Sequence, residues 1–511
     1  MKIHSMKLKN YRGYTGETTV CFENLTALVG KNDIGKSSIL EALDVFFNDG
    51  KGVVKLEKDD LNVTARANED NDIRISLCFE ELPDRIVIDA TNETTLQSEY
   101  LLNEDGRLEV VKVYPNAGSA KIFIRALHPT NPDCCDLLQK RDRDLRNQIE
   151  ANHIECNDRT RNAVMRSSIW NHYADNLQLA SVEIDVTKGD TKTIWDKLQG
   201  YLPLFSLFQS DRKNSDGDSE VQDPLKEAVK EILHDAQLQQ TLTEVATVVE
   251  TKLREVSTRT LEKLREMSPD IANTLNPVIP SAANLKWADV FKNVSITSDE
   301  NIPINKRGSG SKRLILLNFF RAEVERRQAE RNAPSIIYAI EEPETSQHSE
   351  NQKKLVRALS ALSEASNTQV IITTHSPIIV KQLGFSNIRI IRMDAEQKII
   401  ENTLPNQLPY PSLNEVNYLA FSEVSEEYHN ELFGFIEEQG LLPTYYQGKP
   451  TVTYNHLYYN GTIRVEQKTM TEYIRHQIHH PENTHNPRFS DADLATSIED
   501  MRRFIQSQPF N

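Results

Sequence analysis

The sequence predicts an α/β protein: a mixed sheet around a loop-and-helix core, with a helical insertion and a small α+β C-terminal region. Three observations carry that expectation. An apolar run, Thr26-Ala27-Leu28-Val29, leads through Gly30-Lys31-Asn32-Asp33-Ile34-Gly35-Lys36-Ser37 into the helical pattern Ile39, Leu40, Ala42, Leu43. A second run, Ile336-Ile337-Tyr338-Ala339-Ile340, ends in Glu341-Glu342-Pro343-Glu344. A third, Val370-Ile371-Ile372-Thr373-Thr374, ends in His375-Ser376-Pro377. Buried strands that end in polar residues are what an open α/β sheet places along its ligand-binding edge.

Taken along the chain, four segments emerge. Residues 1–127 read as an α/β lobe opening on the strand Ile3 to Leu8. In it the alternation Ile73, Ile75, Leu77, Phe79 marks a half-buried strand, and further strands are expected at 85–90, 108–114 and 121–125, with Asp105-Gly106 as a turn. Residues 128–290 read as helical. The Gly- and Pro-free stretch Leu225 to Met267 carries Leu225, Val229, Ile232, Leu233 and Ala236 at helical spacing, enough for an arm of roughly 60 Å at 1.5 Å per residue. Residues 291–405 return to α/β, with strands at 335–340, 369–373 and 387–392. Residues 406–511 combine a helix at about 415–438, a Tyr-rich strand region from Thr451 to Val465, and two terminal helices.

The 511 residues include 59 Lys+Arg and 75 Asp+Glu, a formal charge of −16. That balance argues against coating nucleic acid through bulk charge, which needs clustered cations to release counterions. No apolar run reaches membrane-spanning length and no leader pattern opens the chain, so a cytoplasmic protein without membrane contact is expected. Five cysteines at irregular spacing read as free thiols, not as a disulfide framework.

The octet Gly30–Ser37 is a complete G-x-x-x-x-G-K-[ST] phosphate-binding loop. Its glycines let backbone N–H groups converge on phosphate oxygens while the following helix contributes positive potential. Gly30, Lys31, Asn32, Asp33, Gly35, Lys36, Ser37 and Ser38 are therefore the expected ATP contacts, with Lys36 on the β/γ-phosphates and Ser37 on Mg²⁺. Glu341 is expected to complete the Mg²⁺ shell, Glu342 to act on the attacking water, and His375 to sense the γ-phosphate.

Together these elements resemble the ABC-type ATPase heads of the SMC/Rad50/RecF and OLD group. The opening Leu8-Lys9-Asn10-Tyr11-Arg12-Gly13 is similar to that group's first strand-and-Arg segment, implying that Arg12 approaches the nucleotide. The resemblance also implies a homodimer or higher homo-oligomer in which a signature loop caps ATP held by the partner subunit. Arg307-Gly308-Ser309-Gly310-Ser311-Lys312-Arg313-Leu314 stands at that place, with Ser309 and Gly310 as the donors. It departs from the usual L-S-G-G-Q, and no glutamine linking nucleotide to insertion stands out. The Glu-Glu-Pro-Glu tip is the OLD-like form.

OLD-type chains append a Toprim nuclease. Asp491-Ala492-Asp493 has its letters, but Ser490 before it and Leu494, Ser497 and Ile498 after it read as a capped helix start. An OLD-like head without Toprim resembles ATPase subunits of anti-phage systems such as PARIS and Septu. That implies a separate nuclease or toxin effector, with nucleic acid or a phage protein as a further partner. Two alternatives stand beside it. Arg475-His476-Gln477-Ile478-His479-His480 fits the R-[NDH]-x-x-x-H pattern of HEPN ribonucleases, with Arg475 and His480 in the catalytic roles. The other is a Rad50/RecF-like DNA repair ATPase.

Overall fold

The computed structural model describes residues 1–87, 93–187, 191–209, 232–233, 235–267, 335–345, 347–394, 397–403, 408, 410 and 412–508. In chain order the strands are β1 (Lys2–Lys9), β2 (Thr18–Cys21), β3 (Leu25–Val29), β4 (Asp72–Glu80), β5 (Ile86–Val87), β6 (Glu93–Thr94), β7 (Leu108–Pro115), β8 (Lys121–Pro129), β9 (Leu179–Asp185), β10 (Leu204–Phe208), β11 (Ile336–Glu341), β12 (Thr368–Thr374), β13 (Ile388–Asp394), β14 (Gln397–Asn402), β15 (Thr451–Leu457) and β16 (Ile463–Thr469).

Among the described residues β5–β6 and β15–β16 are two-stranded, and the other twelve strands form two six-stranded sheets. The first is antiparallel, in the order β2-β1-β4-β7-β8-β9. The second runs β10-β11-β12-β3-β13-β14, parallel except for the antiparallel edge strand β14. Every residue of β3 and β12 is buried, as befits central parallel strands covered on both faces.

The helix α1 (Lys36–Asn48) lies between the two sheets. Its Ile39, Leu40, Leu43 and Phe46 share one core with Ile75, Leu77 and Phe79 of the first sheet and with Leu28, Ile337 and Ile371 of the second. The far end of α1 is pinned by β7. The Lys112 ammonium donates to the Phe46 carbonyl at 2.8 Å and to Asp49 at 2.5 Å, and the Tyr114 hydroxyl donates to the Val45 carbonyl at 3.0 Å. A buried cation on the terminal carbonyls suits the negative end of the helix dipole and fixes where the opposite end points. On the other face of the second sheet, helices Ser349–Ser363, Pro377–Val380 and Leu413–Phe421 complete a separate core.

Residues 128–209 are not helical throughout, as their sequence suggests. β9 extends the first sheet and β10 opens the second. β9, Leu-Ala-Ser-Val-Glu-Ile-Asp, is an edge strand with little burial, so pairing to the distant β8 makes it a strand where its apolar pattern does not. Among the described residues Ile86–Val87 pairs only with Glu93–Thr94, and the β7–β8 hairpin turns at Asn116 and Ala117, both left-handed, while Asp105-Gly106 sits in the turn before β7. The arm is described as a helix over Ala236–Met267, about 48 Å at 1.5 Å per residue.

The expected helix at 415–438 is two helices, Leu413–Phe421 and Glu426–Glu438, broken where Ser422 turns left-handed and Ser425 caps the second. With Leu442–Tyr446, Met470–His479 and Asp491–Ser507 the second helix forms a third core, beside the β15–β16 hairpin. Ser490 caps the last helix reciprocally with Asp493, so the Asp491-Ala492-Asp493 triplet is a helix start. Among the described residues no helix is long and apolar enough to cross a membrane.

Candidate functional site

The loop Gly30–Gly35 joins the central strand β3 to α1. Gly30 takes φ +155°, and a Cβ there would lie 2.6 Å from the Ile391 carbonyl oxygen of β13, so only glycine lets the loop leave the sheet this closely. Gly35, at φ +106°, stands at the N-cap of α1. That helix start has no side-chain cap and no acidic residue in its first turn, leaving its first N–H groups turned toward an outside acceptor. Lys31, Asn32 and Asp33 are exposed along the loop, and Ser37 and Ser38 are half-buried in the first turn of α1.

Lys36 is buried and folds back on its own loop, donating to the carbonyls of Gly30 and Lys31 at 2.8 Å each. Burial lowers its pKa, opposed by the field of Glu342, Glu344, Asp33 and Glu341. The Ser37 hydroxyl donates to the Glu341 carboxylate, joining residues 304 positions apart. β11 thus delivers its terminal carboxylate onto the first turn of α1.

The next residue, Glu342, is left-handed at φ 40°, while its amide still reaches the Thr373 carbonyl of β12 at 3.1 Å. This backbone turn swings the side chain off the strand's alternation, toward His375, whose Nδ1 lies 3.2 Å from Glu342 Oε1. Glu344 is buried beneath them. Its Oε1 accepts from the Thr374 hydroxyl at 2.6 Å and the His375 amide at 3.0 Å, whereas Oε2 has no hydrogen-bond partner among the described residues. Burial pushes the Glu344 pKa up against those hydrogen bonds.

Arg12, also left-handed, pairs with Glu41 of α1 and, at 2.8 Å, with Asp60. Gln209, directly after β10, is buried and donates to the other Glu41 oxygen at 3.1 Å. This glutamine escaped the sequence reading. It stands at the tip of the strand beside β11, and the apolar run Leu204–Phe208 ending in Gln209 is the signal that could have marked it.

Ser309 and Gly310, with the run Arg307–Leu314, lie outside the described residues. In the C-terminal region Arg475 donates to Asn430 at 2.8 Å and covers the Phe433 ring, while His480 faces Glu482 at 3.1 Å.

The donor set suits a magnesium-bound triphosphate. One buried ammonium and an uncapped helix start are the donors that phosphate oxygens require, and a hydroxyl beside a carboxylate matches Mg²⁺, which takes few protein ligands and keeps waters and phosphates. The profile of the AAA ATPase domain matches residues 1–380, most of the chain. The chain belongs to the AAA ATPase domain family. It is a P-loop ATPase.

This ATPase is 30% identical over 103 residues to an OLD nuclease of Thermus scotoductus, a match spanning 20% of this chain and 19% of that relative. Among solved structures it is similar to the SMC head domain from Thermotoga maritima, at 13% identity and TM-score 0.33, covering 79% of this chain and 100% of that one. It is also similar to an Smc head domain with an extended coiled coil bound to the C-terminal domain of ScpA, derived from Pyrococcus furiosus. That match has 13% identity and TM-score 0.36, covering 78% of this chain and 95% of that one.

Proposed function

We propose that this ATPase binds and hydrolyses Mg²⁺·ATP at the loop Gly30–Ser38 and the tips of β11 and β12, and that it acts in the cytoplasm as the sensor or scaffold for a separate effector in anti-phage defence. The observation that carries the site is the Ser37–Glu341 hydrogen bond, which brings the loop and the carboxylate strand to one point.

In this reading Lys36 and the first amides of α1 hold the β- and γ-phosphates, and Ser37 with Glu341 holds Mg²⁺. The metal, when bound, neutralises charge on the phosphates. Glu342 takes up the proton of the attacking water, and His375 fixes the Glu342 carboxylate and stands where the γ-phosphate would be felt. Arg12 and Gln209, both on Glu41, tie α1 to the insertion. Ser309 and Gly310 of a second subunit close the site in a homodimer or larger homo-oligomer, so that ATP opens or shuts the contact through which an effector, phage protein or nucleic acid is held.

The test uses the full-length protein with radiolabelled ATP and Mg²⁺. Wild type binds and turns over ATP; Lys36→Ala loses binding; Glu342→Gln binds ATP but turns over at least a hundredfold slower, within the range of a lost general base. Tight binding by Lys36→Ala would remove the loop from the site. A Glu342→Gln variant as fast as wild type would remove the carboxylate from the chemistry.

A further inference from the structure

Beside the phosphate loop, on the face away from Glu341, lies a cation that the motifs do not account for. Lys398 is on the edge strand β14, which β13 holds antiparallel through Ile399–Arg392 and Lys398–Met393 pairs. Its carbonyl is held by the Thr18 hydroxyl of β2 at 3.4 Å, so the residue bridges the two sheets. The side chain does not run out to water. Its ammonium sits 5.3 Å from the centre of the Tyr14 ring, and Tyr14 in turn donates its hydroxyl to the Gly35 carbonyl at 3.0 Å.

Two glycines make room for that ammonium. A Cβ on Gly13 would lie 2.1 Å from Lys398 Nζ, and one on Gly35 would lie 3.0 Å from it. The ammonium is half-buried, burial lowers its pKa, and no carboxylate among the described residues lies within ion-pairing distance of it. A half-buried, unpaired cation is costly. The ring face of Tyr14 offsets part of that cost. An anion arriving at Gly35 would offset more.

We propose that Lys398 is a further nucleotide-binding residue, donating from its seat between Gly13, Tyr14 and Gly35 to a phosphoryl oxygen of the bound nucleotide. The proposal rests on the ATP site described above. It gives the site a further cation, brought by the edge strand β14, so nucleotide binding would be coupled to docking of β14 against Gly13. Lys36 is covered by its own loop carbonyls, whereas among the described residues Lys398 meets a ring face and no acceptor for its ammonium, which makes it the less satisfied of the two there.

The experiment measures Kd for ATP and ADP, with Mg²⁺, on the full-length protein at 0.1 and 0.5 M salt. The proteins compared are wild type, Lys398→Met, Lys398→Arg, Gly13→Ala and the Lys398→Met/Gly13→Ala double variant, each with its Tm. Methionine keeps the stem on Tyr14 and removes the charge. Lys398→Met is expected to weaken ATP about tenfold or more, as for a lost hydrogen bond to a charged group, at both salt concentrations. Lys398→Arg recovers part of the loss. Gly13→Ala, which keeps the lysine but fills its seat, weakens ATP in the same direction, and the double variant is no weaker than Lys398→Met.

Wild type that binds ATP tightly while Lys398→Met matches it within twofold would overturn the proposal and leave the ATP site standing. So would a loss that vanishes at 0.5 M salt, since it reflects only the long-range field. Wild type without measurable ATP affinity would instead sink the underlying site.

Discussion

Glu344 holds the backbone of His375: one carboxylate oxygen accepts the His375 amide at 3.0 Å and, from the preceding residue, the Thr374 hydroxyl at 2.6 Å. The third glutamate of the β11 tip is therefore a clamp between the ends of β11 and β12. Replacing it by Ala leaves the buried Thr374 hydroxyl without its acceptor, a cost of about 1–3 kcal/mol, and frees the His375 amide from the strand tip. Turnover should also fall as His375 loses its place beside Glu342. Glu344→Gln keeps an acceptor oxygen and should stay near wild type in Tm. Denaturant titration and kcat of both variants check this, and equal stability of Ala and Gln variants would contradict it.

Gly30→Ala should be more damaging than alanine at the exposed loop residues Lys31 or Asn32. The new Cβ meets the Ile391 carbonyl, part of a neighbouring strand's backbone, at 2.6 Å, and φ +155° is closed to L side chains. The loop must then leave its register with β13. At least a tenfold loss of ATP affinity is expected, together with a lower Tm. An unchanged ATP Kd would show that the loop tolerates movement.

In the first lobe, Arg166 and Glu99 are almost fully buried and joined by two hydrogen bonds, of 2.7 and 3.0 Å. Glu99→Ala leaves a buried guanidinium short of its counter-charge and should cost about 3–5 kcal/mol in urea unfolding. Glu99→Leu with Arg166→Met should recover most of that loss. A single variant costing under ~1 kcal/mol would mean the pair is dispensable.

His429 gives the C-terminal helices a pH dependence. Its ring nitrogen meets the Ser497 hydroxyl at 3.0 Å, and burial, aided by the Arg475 charge, lowers its pKa to about 3. The unfolded chain takes up this proton near pH 6.5 and the folded one does not, so below that pH the folded state loses up to about 1.4 kcal/mol per unit until pH falls to its own value. Above pH 6.5 the group contributes no slope. His429→Gln should flatten the urea midpoint between pH 6.5 and 4.5, and an unaltered slope would place the acid sensitivity elsewhere.

The placement of much of the candidate site was legible because it is local. Gly30 to Ser37, Glu341 to Glu344 and His375 each follow their own buried strand, and a short motif on a strand end keeps its meaning wherever the chain goes next. What stayed hidden depends on partners far along the chain. β9 is a strand because β8 pairs with it, Gln209 gains its place from β11, and Lys398 finds its seat against Gly13. The break at Ser422 was missed because the periodicity of the flanking helices runs on through it.

The position of β3 sets a timetable for synthesis. Leu25 pairs with Val370 and Val29 with Ile390, so the strand that carries the phosphate loop has no neighbour in its sheet until residues near 374 have left the ribosome, and gains its second only near 394. At about 5–20 residues per second that is a wait of roughly 20–70 s. Throughout it an apolar pentapeptide and the inner face of α1 lack their permanent cover, which makes this stretch the natural client for a chaperone. A message cut short before β13 would yield a polypeptide unable to trap nucleotide, however intact its glycine loop.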